Sequence, residues 1–354
     1  MGQRKLIVDT DAGVDDAVAL MMLFALLNRD EHALKATRSW DRIKTFGTPP
    51  ALAGITCVGG NVELDKVQLN VVSCLRRAGL SEVPVFIGSE RPLLNPPHSA
   101  SFWHGEDGLG DVLSEAERKE DLEWAQKHDL LKGLDSYGNA AVNFIIKTIM
   151  ESEKGTVDLL ALGPLTNVAL AIRIEPRIVE RLGRCVIMGG AVRGRGNITK
   201  AAEFNFYADP DAAHICFDHL NGGFKSIELV DWEFCLRGSI EWDFWDRLRE
   251  EHSNSFIVRM SEDIVKKSRA LYSSSFPLAD PLAMFVLLCP EGVTQKENRQ
   301  VHIELSGNHT RGMTVVDWGT HELDVENAFD GHVIVEHIDM EAYHELIEFI
   351  ALYQ

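Results

Sequence analysis

Six short, almost continuously apolar runs recur along the chain, bounded by Gly or Asp. They are KLIVDTD (5–11), LAGITCVGG (52–60), VPVFIG (83–88), TVDLLALG (156–163), RCVIMGG (184–190) and SIELVDW (226–232). Runs of this kind read as strands covered on both faces, the condition of a parallel sheet. Helical spacing is interleaved with them at 15–28, 63–79, 137–153, 166–174 and 209–220. The alternation predicts an open α/β fold with a largely parallel central sheet flanked by helices. No internal repeat or low-complexity linker divides the chain, so one domain over 1–354 is expected, although its 354 residues could on length alone make two.

Three stretches interrupt the rhythm. Residues 29–50 are polar and close on Pro49 and Pro50, which reads as a surface excursion. Residues 113–133 hold a dense mixed-charge run, the pattern of a solvated helix. Residues 233–275 read as helical and carry Trp242, Trp245 and Tyr272, as a lid or as ordinary packing.

Charge and cysteine usage narrow the classes of function. The chain carries 35 Lys+Arg against 54 Asp+Glu, a net charge of −19. A polyanion is repelled by such a chain, so neither nucleic acid nor an anionic membrane surface is an expected partner. Small neutral or cationic ligands and divalent metals remain. The hydrophobic fraction of 45% excludes disorder, and six scattered cysteines exclude a disulfide scaffold. Reduced, buried thiols in a cytoplasmic setting are expected. The longest apolar run, 17–27, is too short to span a bilayer and follows acidic residues, unlike a signal peptide. Leu6 stands where a myristoylation signal requires Ser or Thr.

The chemistry concentrates in VDTDAGVDDAVAL, Val8 to Leu20. Asp9, Asp11, Asp15 and Asp16 put four carboxylates where an apolar strand turns into an apolar helix. Their mutual repulsion is costly unless something positive neutralises them. A helix N-terminus offsets only ~0.3–1 kcal/mol per nearby anion, and simple capping falls short of the need. A hard cation such as Ca²⁺ or Mg²⁺, which takes carboxylate and carbonyl oxygens, meets it better. An aspartyl phosphatase of the haloacid-dehalogenase kind also opens with D-x-D. That pattern requires Thr or Val two residues after the second Asp, and Gly13 stands there.

DTDAGVDDA resembles the opening signature D-x-D-x-G-x-D-D of the inosine–uridine nucleoside hydrolase family. Companion segments follow in family order: ITCVGGN (55–61), LALGPLTNVALA (160–171), VIMGGAVRGRGNITKAAEFNFYADPDAA (186–213), ADPLAMF (279–285) and RGMTVVD (311–317). The resemblance implies hydrolysis of the N-glycosidic bond of ribonucleosides to free base and ribose, through a transition state of oxocarbenium character. It implies Ca²⁺ held by Asp11, Asp16, the Leu162 backbone carbonyl and Asp280, with Asp11 as general base for the attacking water. Ribose recognition would fall on Asp15, Asn61, Asn197, Glu203 and Asn205, with a strong preference over deoxyribose. The base pocket would use Met188 and Phe204 with Trp103 and His104 from FWHGEDGLGD (102–111).

One position departs from the pattern. The pyrimidine-accepting branch carries a His directly before the last metal Asp, and the purine-preferring branch a Trp; this chain has Ala279. The missing His implies a purine-leaning enzyme whose leaving base is activated by His104, by stacking on Trp103, or by a group such as Trp242 or Tyr272. The alternative is a catalytically weak relative that binds Ca²⁺ and ribosyl ligands. Relatives form dimers or tetramers, so a homo-oligomer is expected.

Overall fold

The computed structural model describes residues 4–28, 49–133, 139–319 and 331–352. The 29–50 excursion therefore lies outside the described residues except for its last two.

The expected strands form at the expected places. They are β1 (Lys5–Thr10), β2 (Ala51–Cys57), β3 (Val85–Ile87), β5 (Val157–Ala161), β6 (Cys185–Met188) and β7 (Glu228–Val230), and a short further strand, β4 (Leu131–Lys132), forms at the end of the 113–133 stretch that reads as a helix. Two later strands, His332–Ile338 and Val293–Arg299, extend the β7 side into a nine-stranded sheet. All neighbours run parallel except Val293–Arg299, which pairs antiparallel with His332–Ile338 at the edge. RGMTVVD does not join this sheet: its Thr314–Val316 pairs with Val301–Ile303 in a separate two-stranded ladder.

Strand order places the functional site. From β1 the chain runs outward through β2, β3 and β4, then returns to β5 on the other flank of β1 and proceeds to β6 and β7. The direction reverses between β1 and β5, and open α/β sheets bind ligands outside the carboxyl ends of strands at such a switch point. Asp11 follows β1 there and Leu162 follows β5.

Two helices are apolar almost all round and occupy the middle of the larger core. Helix α1 (Val14–Leu27) and the helix Ala279–Leu288 pack together, with residues such as Leu20, Met22, Phe24, Leu282 and Phe285 fully enclosed. A helix with no polar face belongs inside. Their N-terminal turns carry Asp15, Asp16 and Asp280, so two buried helix starts present acidic residues.

The mixed-charge run forms the helix Glu115–Lys127, started by a capping box in which Glu117 N–H donates to Ser114 Oγ and Ser114 N–H to Glu117 Oε2. It is not wholly solvated. Asp121 is fully buried and accepts from Ser73 and Arg76 of the helix Leu64–Ala78. Region 233–275 contributes the helices Trp232–Arg237, Trp242–Glu251 and Phe256–Leu271. Phe256, Ile257, Met260 and Ile264 of the last join the core beside α1, as ordinary packing. Among the described residues no helix is long and apolar enough to cross a membrane.

Candidate active site

The turn after β1 folds tightly enough to bury its acids. Ala12 adopts a left-handed conformation (φ 39°) with its N–H donating to Thr10 Oγ1 at 3.1 Å. The Thr10 hydroxyl in turn donates to Asp16, which also accepts from Gly13 N–H at 2.9 Å. Asp11 receives Asn61 twice, from the backbone N–H at 2.8 Å and from Nδ2 at 3.1 Å. The same Nδ2 lies 3.1 Å from Asp16, so one amide spans two carboxylates. Gly60 permits this approach, because a Cβ there would stand 2.2 Å from Asp11 Oδ2.

Electrostatics mark the cluster as short of positive charge. Burial, then the Asp16 charge, pushes the Asp11 carboxyl well above the usual range, against the opposing pull of the Asn61 N–H. Asp16 is raised to about 6 by burial and by Asp15. Asp280 is pushed well up by burial and by all three neighbouring aspartates. Carboxylate oxygens of Asp15, Asp16 and Asp280 come within 4.8 Å of one another. Among the described residues Asp15 Oδ1 is buried without a hydrogen-bond partner, and His104 Nδ1 lies 3.8 Å from it. An all-oxygen donor set with an orphaned oxygen and excess negative charge fits a hard divalent cation. The geometry draws Asp15 into this set, whereas Asp11 stands beside it. The Leu162 carbonyl accepts from Asn205 Nδ2 at 2.7 Å.

A cleft of about 200 Å³ opens above these acids. Asp15, Asn61, Leu162, Asn197, Glu203, Asn205 and Asp280 form its polar side. Trp103, His104, Met188 and Phe204 line the remainder, so eleven of the thirteen residues singled out in the sequence share one cavity. Asp11 and Asp16 do not line it; both are fully buried just behind Asn61.

Glu203 begins the helix Phe204–Ala208 as its own N-cap, accepting from Asn205 N–H and Gly190 N–H at 2.8 Å each and from Phe206 N–H at 3.2 Å. Burial nevertheless raises it to about 7. Asn197 Oδ1 accepts from Phe204 N–H at 2.8 Å, which ties the 191–202 loop to the same helix. His104 is buried, and burial lowers its basicity. Its Nδ1 accepts from Val14 N–H at 3.1 Å, so the neutral ring carries its proton on Nε2.

Several lining residues escaped the sequence reading: Ala100, Phe102, Ile198, Trp232 and Leu271. Phe102 and Leu271 are exposed apolar side chains at the cleft. Tyr272 lines it as well, whereas Trp242 stacks on Phe276 and under Arg269 and is not a lining residue. Trp232 directly follows the strand end VD, and an aromatic in that position was the available signal. Asp9 also proves structural: it accepts from Thr56 at 2.5 Å and Asn167 at 2.9 Å, and burial raises it to about 7.

The largely parallel α/β sheet thus carries at its switch point a cleft lined by buried carboxylates and amides. A sequence model of the inosine-uridine preferring nucleoside hydrolases matches residues 6–345, and the chain belongs to that family of N-glycosyl hydrolases. It is 33% identical over 318 residues to the inosine-uridine preferring nucleoside hydrolase of Leishmania major, covering 89% of this chain and 88% of that one. It is 30% identical to probable uridine nucleosidase 1 of Oryza sativa subsp. japonica, over 93% and 89% of the two chains. Among solved structures, an inosine-guanosine nucleoside hydrolase superposes with a TM-score of 0.77 at 29% identity, covering 98% of each chain.

Proposed function

We propose that the chain is a Ca²⁺-dependent ribonucleoside hydrolase with a lean toward purine nucleosides. The observation that carries this reading is one cleft lined both by hydrogen-bonding groups beside a buried acidic cluster and by aromatic side chains. A nucleoside has the same division into polyol and flat ring.

Asp16, Asp280 and the Leu162 carbonyl, with Asp11 and the neighbouring Asp15, are the oxygens that would hold the cation. When bound, Ca²⁺ would neutralise the cluster and supply Lewis acidity toward the attacking water and the ribose hydroxyls. Asp15, Asn61, Asn197, Glu203 and Asn205 orient the ribose by hydrogen bonds to its hydroxyls. Asp11 takes the proton of the attacking water. As the glycosidic bond lengthens, the oxocarbenium charge forms beside these carboxylates, which favour it over the neutral ground state.

The leaving base lies among Trp103, Met188 and Phe204, with Trp232 and Tyr272 on the same cleft. With Ala279 in place of a side chain that can donate, the Nε2–H of His104 hydrogen-bonds the leaving base and stabilises the charge that builds on it. Stacking on indole favours a purine as it becomes protonated, by cation–π attraction. The proposal includes a cytoplasmic setting, in keeping with six buried cysteines that form no disulfide, and a homodimer or homotetramer, measurable by sedimentation.

The test is ribose release from inosine, adenosine, guanosine, uridine and cytidine, before and after chelation and again after Ca²⁺ is restored. Chelator-sensitive, Ca²⁺-restored cleavage that is faster for the purine nucleosides supports the proposal. Chelator-resistant cleavage removes the cation from it, and faster cleavage of uridine removes the purine lean.

A further inference from the structure

The mixed-charge helix Glu115–Lys127 reaches the active site through a chain of three side chains. Arg118 Nη1 donates to Asn70 Oδ1 at 3.1 Å, and its Nη2 donates to Asp107 Oδ2 at 2.6 Å. Asn70, on the helix Leu64–Ala78, is fully buried. With its oxygen committed to Arg118, its Nδ2 offers both protons elsewhere: one to the Ala12 carbonyl and one to the Asp107 carbonyl, each at 2.9 Å. Every hydrogen-bonding group of the amide is directed by a partner.

Those two carbonyls belong to the two segments that hold His104. Ala12 is the left-handed residue between Asp11 and Gly13, two positions before Val14, whose N–H fixes the His104 ring. Asp107 shapes the turn after His104, accepting Leu109 N–H at 2.6 Å and Asp111 N–H at 2.9 Å on Oδ1. That turn closes on His104 through Gly110 N–H, 2.7 Å from the His104 carbonyl. Asn70 thus joins the acidic turn to the loop of the base pocket, and Gly108 gives it room, since a Cβ there would meet Nδ2 at 2.7 Å.

The geometry points to Asn70 and Arg118 as positioning residues that set the register between the β1 turn and His104, and so keep the Nε2 proton facing the leaving base. The inference rests on the reading of His104 as the leaving-group donor. It also assigns a task to the charged helix: Arg118 holds the accepting oxygen of the Asn70 amide, and Asp121 with Arg76 fixes where that helix lies. Removing Arg118 leaves the buried Asn70 oxygen without its donor, which loosens the amide and with it the joint between the segments.

The test compares substrates that differ in their need for a hydrogen-bond donor at the leaving group. Arg118→Ala, Arg118→Lys and His104→Ala are assayed with inosine and with 4-nitrophenyl β-D-ribofuranoside, whose leaving group departs as a stable anion. A fixed N–H donor aimed at developing charge contributes roughly 10²–10³-fold. Arg118→Ala is expected to lose at least about tenfold of kcat on inosine, while its kcat on the nitrophenyl riboside stays within about twofold of wild type. Arg118→Lys, which can reach one of the two partners but not bridge both in a fixed fork, is expected to recover part of the loss. If His104→Ala shows the substrate split and Arg118→Ala loses both activities equally, or neither, the positioning inference is overturned. If His104→Ala itself slows both substrates alike, the leaving-group reading beneath it fails instead.

Discussion

Asn61 grips both carboxylate oxygens of Asp11, one through its backbone N–H at 2.8 Å and the other through its side-chain amide at 3.1 Å. That amide also touches Asp16 at 3.1 Å, so it is the neutral bridge between two buried acids. Asn61→Ala removes the side-chain donor to Asp11 Oδ1, at a cost of about 1–3 kcal/mol for a buried group left unsatisfied, while Asp16 keeps Thr10 and Gly13 N–H and Asp11 keeps the backbone N–H. Denaturant unfolding of the metal-free variant is expected to show a midpoint well below that of wild type at neutral pH, and saturating Ca²⁺ is expected to narrow the gap. An unchanged midpoint would mean that the bridge is dispensable.

Gly13 is required by what lies opposite it. Its φ of −74° is open to any residue, yet a Cβ would stand 2.6 Å from Asn61 Nδ2 and 2.8 Å from His104 Nδ1. Gly13→Ala is therefore expected to fold while displacing both side chains, with kcat down by at least about tenfold and little change in secondary structure by circular dichroism. Full activity in this variant would show that neither side chain needs its place.

The fold was largely legible in the sequence because the central strands are short, apolar and buried on both faces. Leu6, Ile7 and Val8 of β1 have nowhere to go but inside. The edge strand Val293–Arg299 was not legible, since its residues VTQKENR are mostly polar and it has a single neighbour to pair with. The site divides the same way. Its acids and amides stand in motifs whose spacing carries the chemistry, whereas Trp232 and Leu271 reach the cleft only because distant helices pack there. Asn70 and Arg118 gave no signal at all, because helical spacing does not reveal which carbonyls a side chain will meet.

Ribose recognition gives a sharp prediction. Glu203, Asn205 and Asn61 are buried polar groups at the cleft, and a substrate lacking a hydroxyl leaves a partner unpaired in a desolvated place. Sites of this type discriminate by roughly 10⁴–10⁵-fold. Comparing kcat/KM for inosine with that for 2′-deoxyinosine should give a ratio of that order. A ratio below about tenfold would place the hydroxyl contacts elsewhere.

Stability should depend on pH through His332. It is buried against Phe217, beside His219 and His302, and burial lowers it to about 4 from 6.5. The unfolded chain binds the proton more readily, so the neutral ring stabilises the fold above pH 6.5, and this is lost as pH falls through 4. The size is roughly 3 kcal/mol at 1.36 kcal/mol per pKa unit. Asp16 and Glu203, raised to about 6 and 7, act with the opposite sign, losing stability as pH rises. The quantity to follow is therefore the difference between wild type and His332→Phe, measured by denaturant unfolding from pH 7 to pH 4. The variant should gain on wild type by about 3 kcal/mol over that range, and parallel curves would mean that His332 does not titrate this way.

The central claim is that Asp11, fully buried behind the cleft, is the base for the attacking water. The most direct measurement is ribose release from purine and pyrimidine ribonucleosides by wild type and Asp11→Ala at saturating Ca²⁺, with ribose binding followed in parallel. The account predicts a loss of turnover of about 10²–10⁴-fold on every substrate, with ribose still bound. Turnover within about tenfold of wild type would contradict it and move the base to another carboxylate of the cluster.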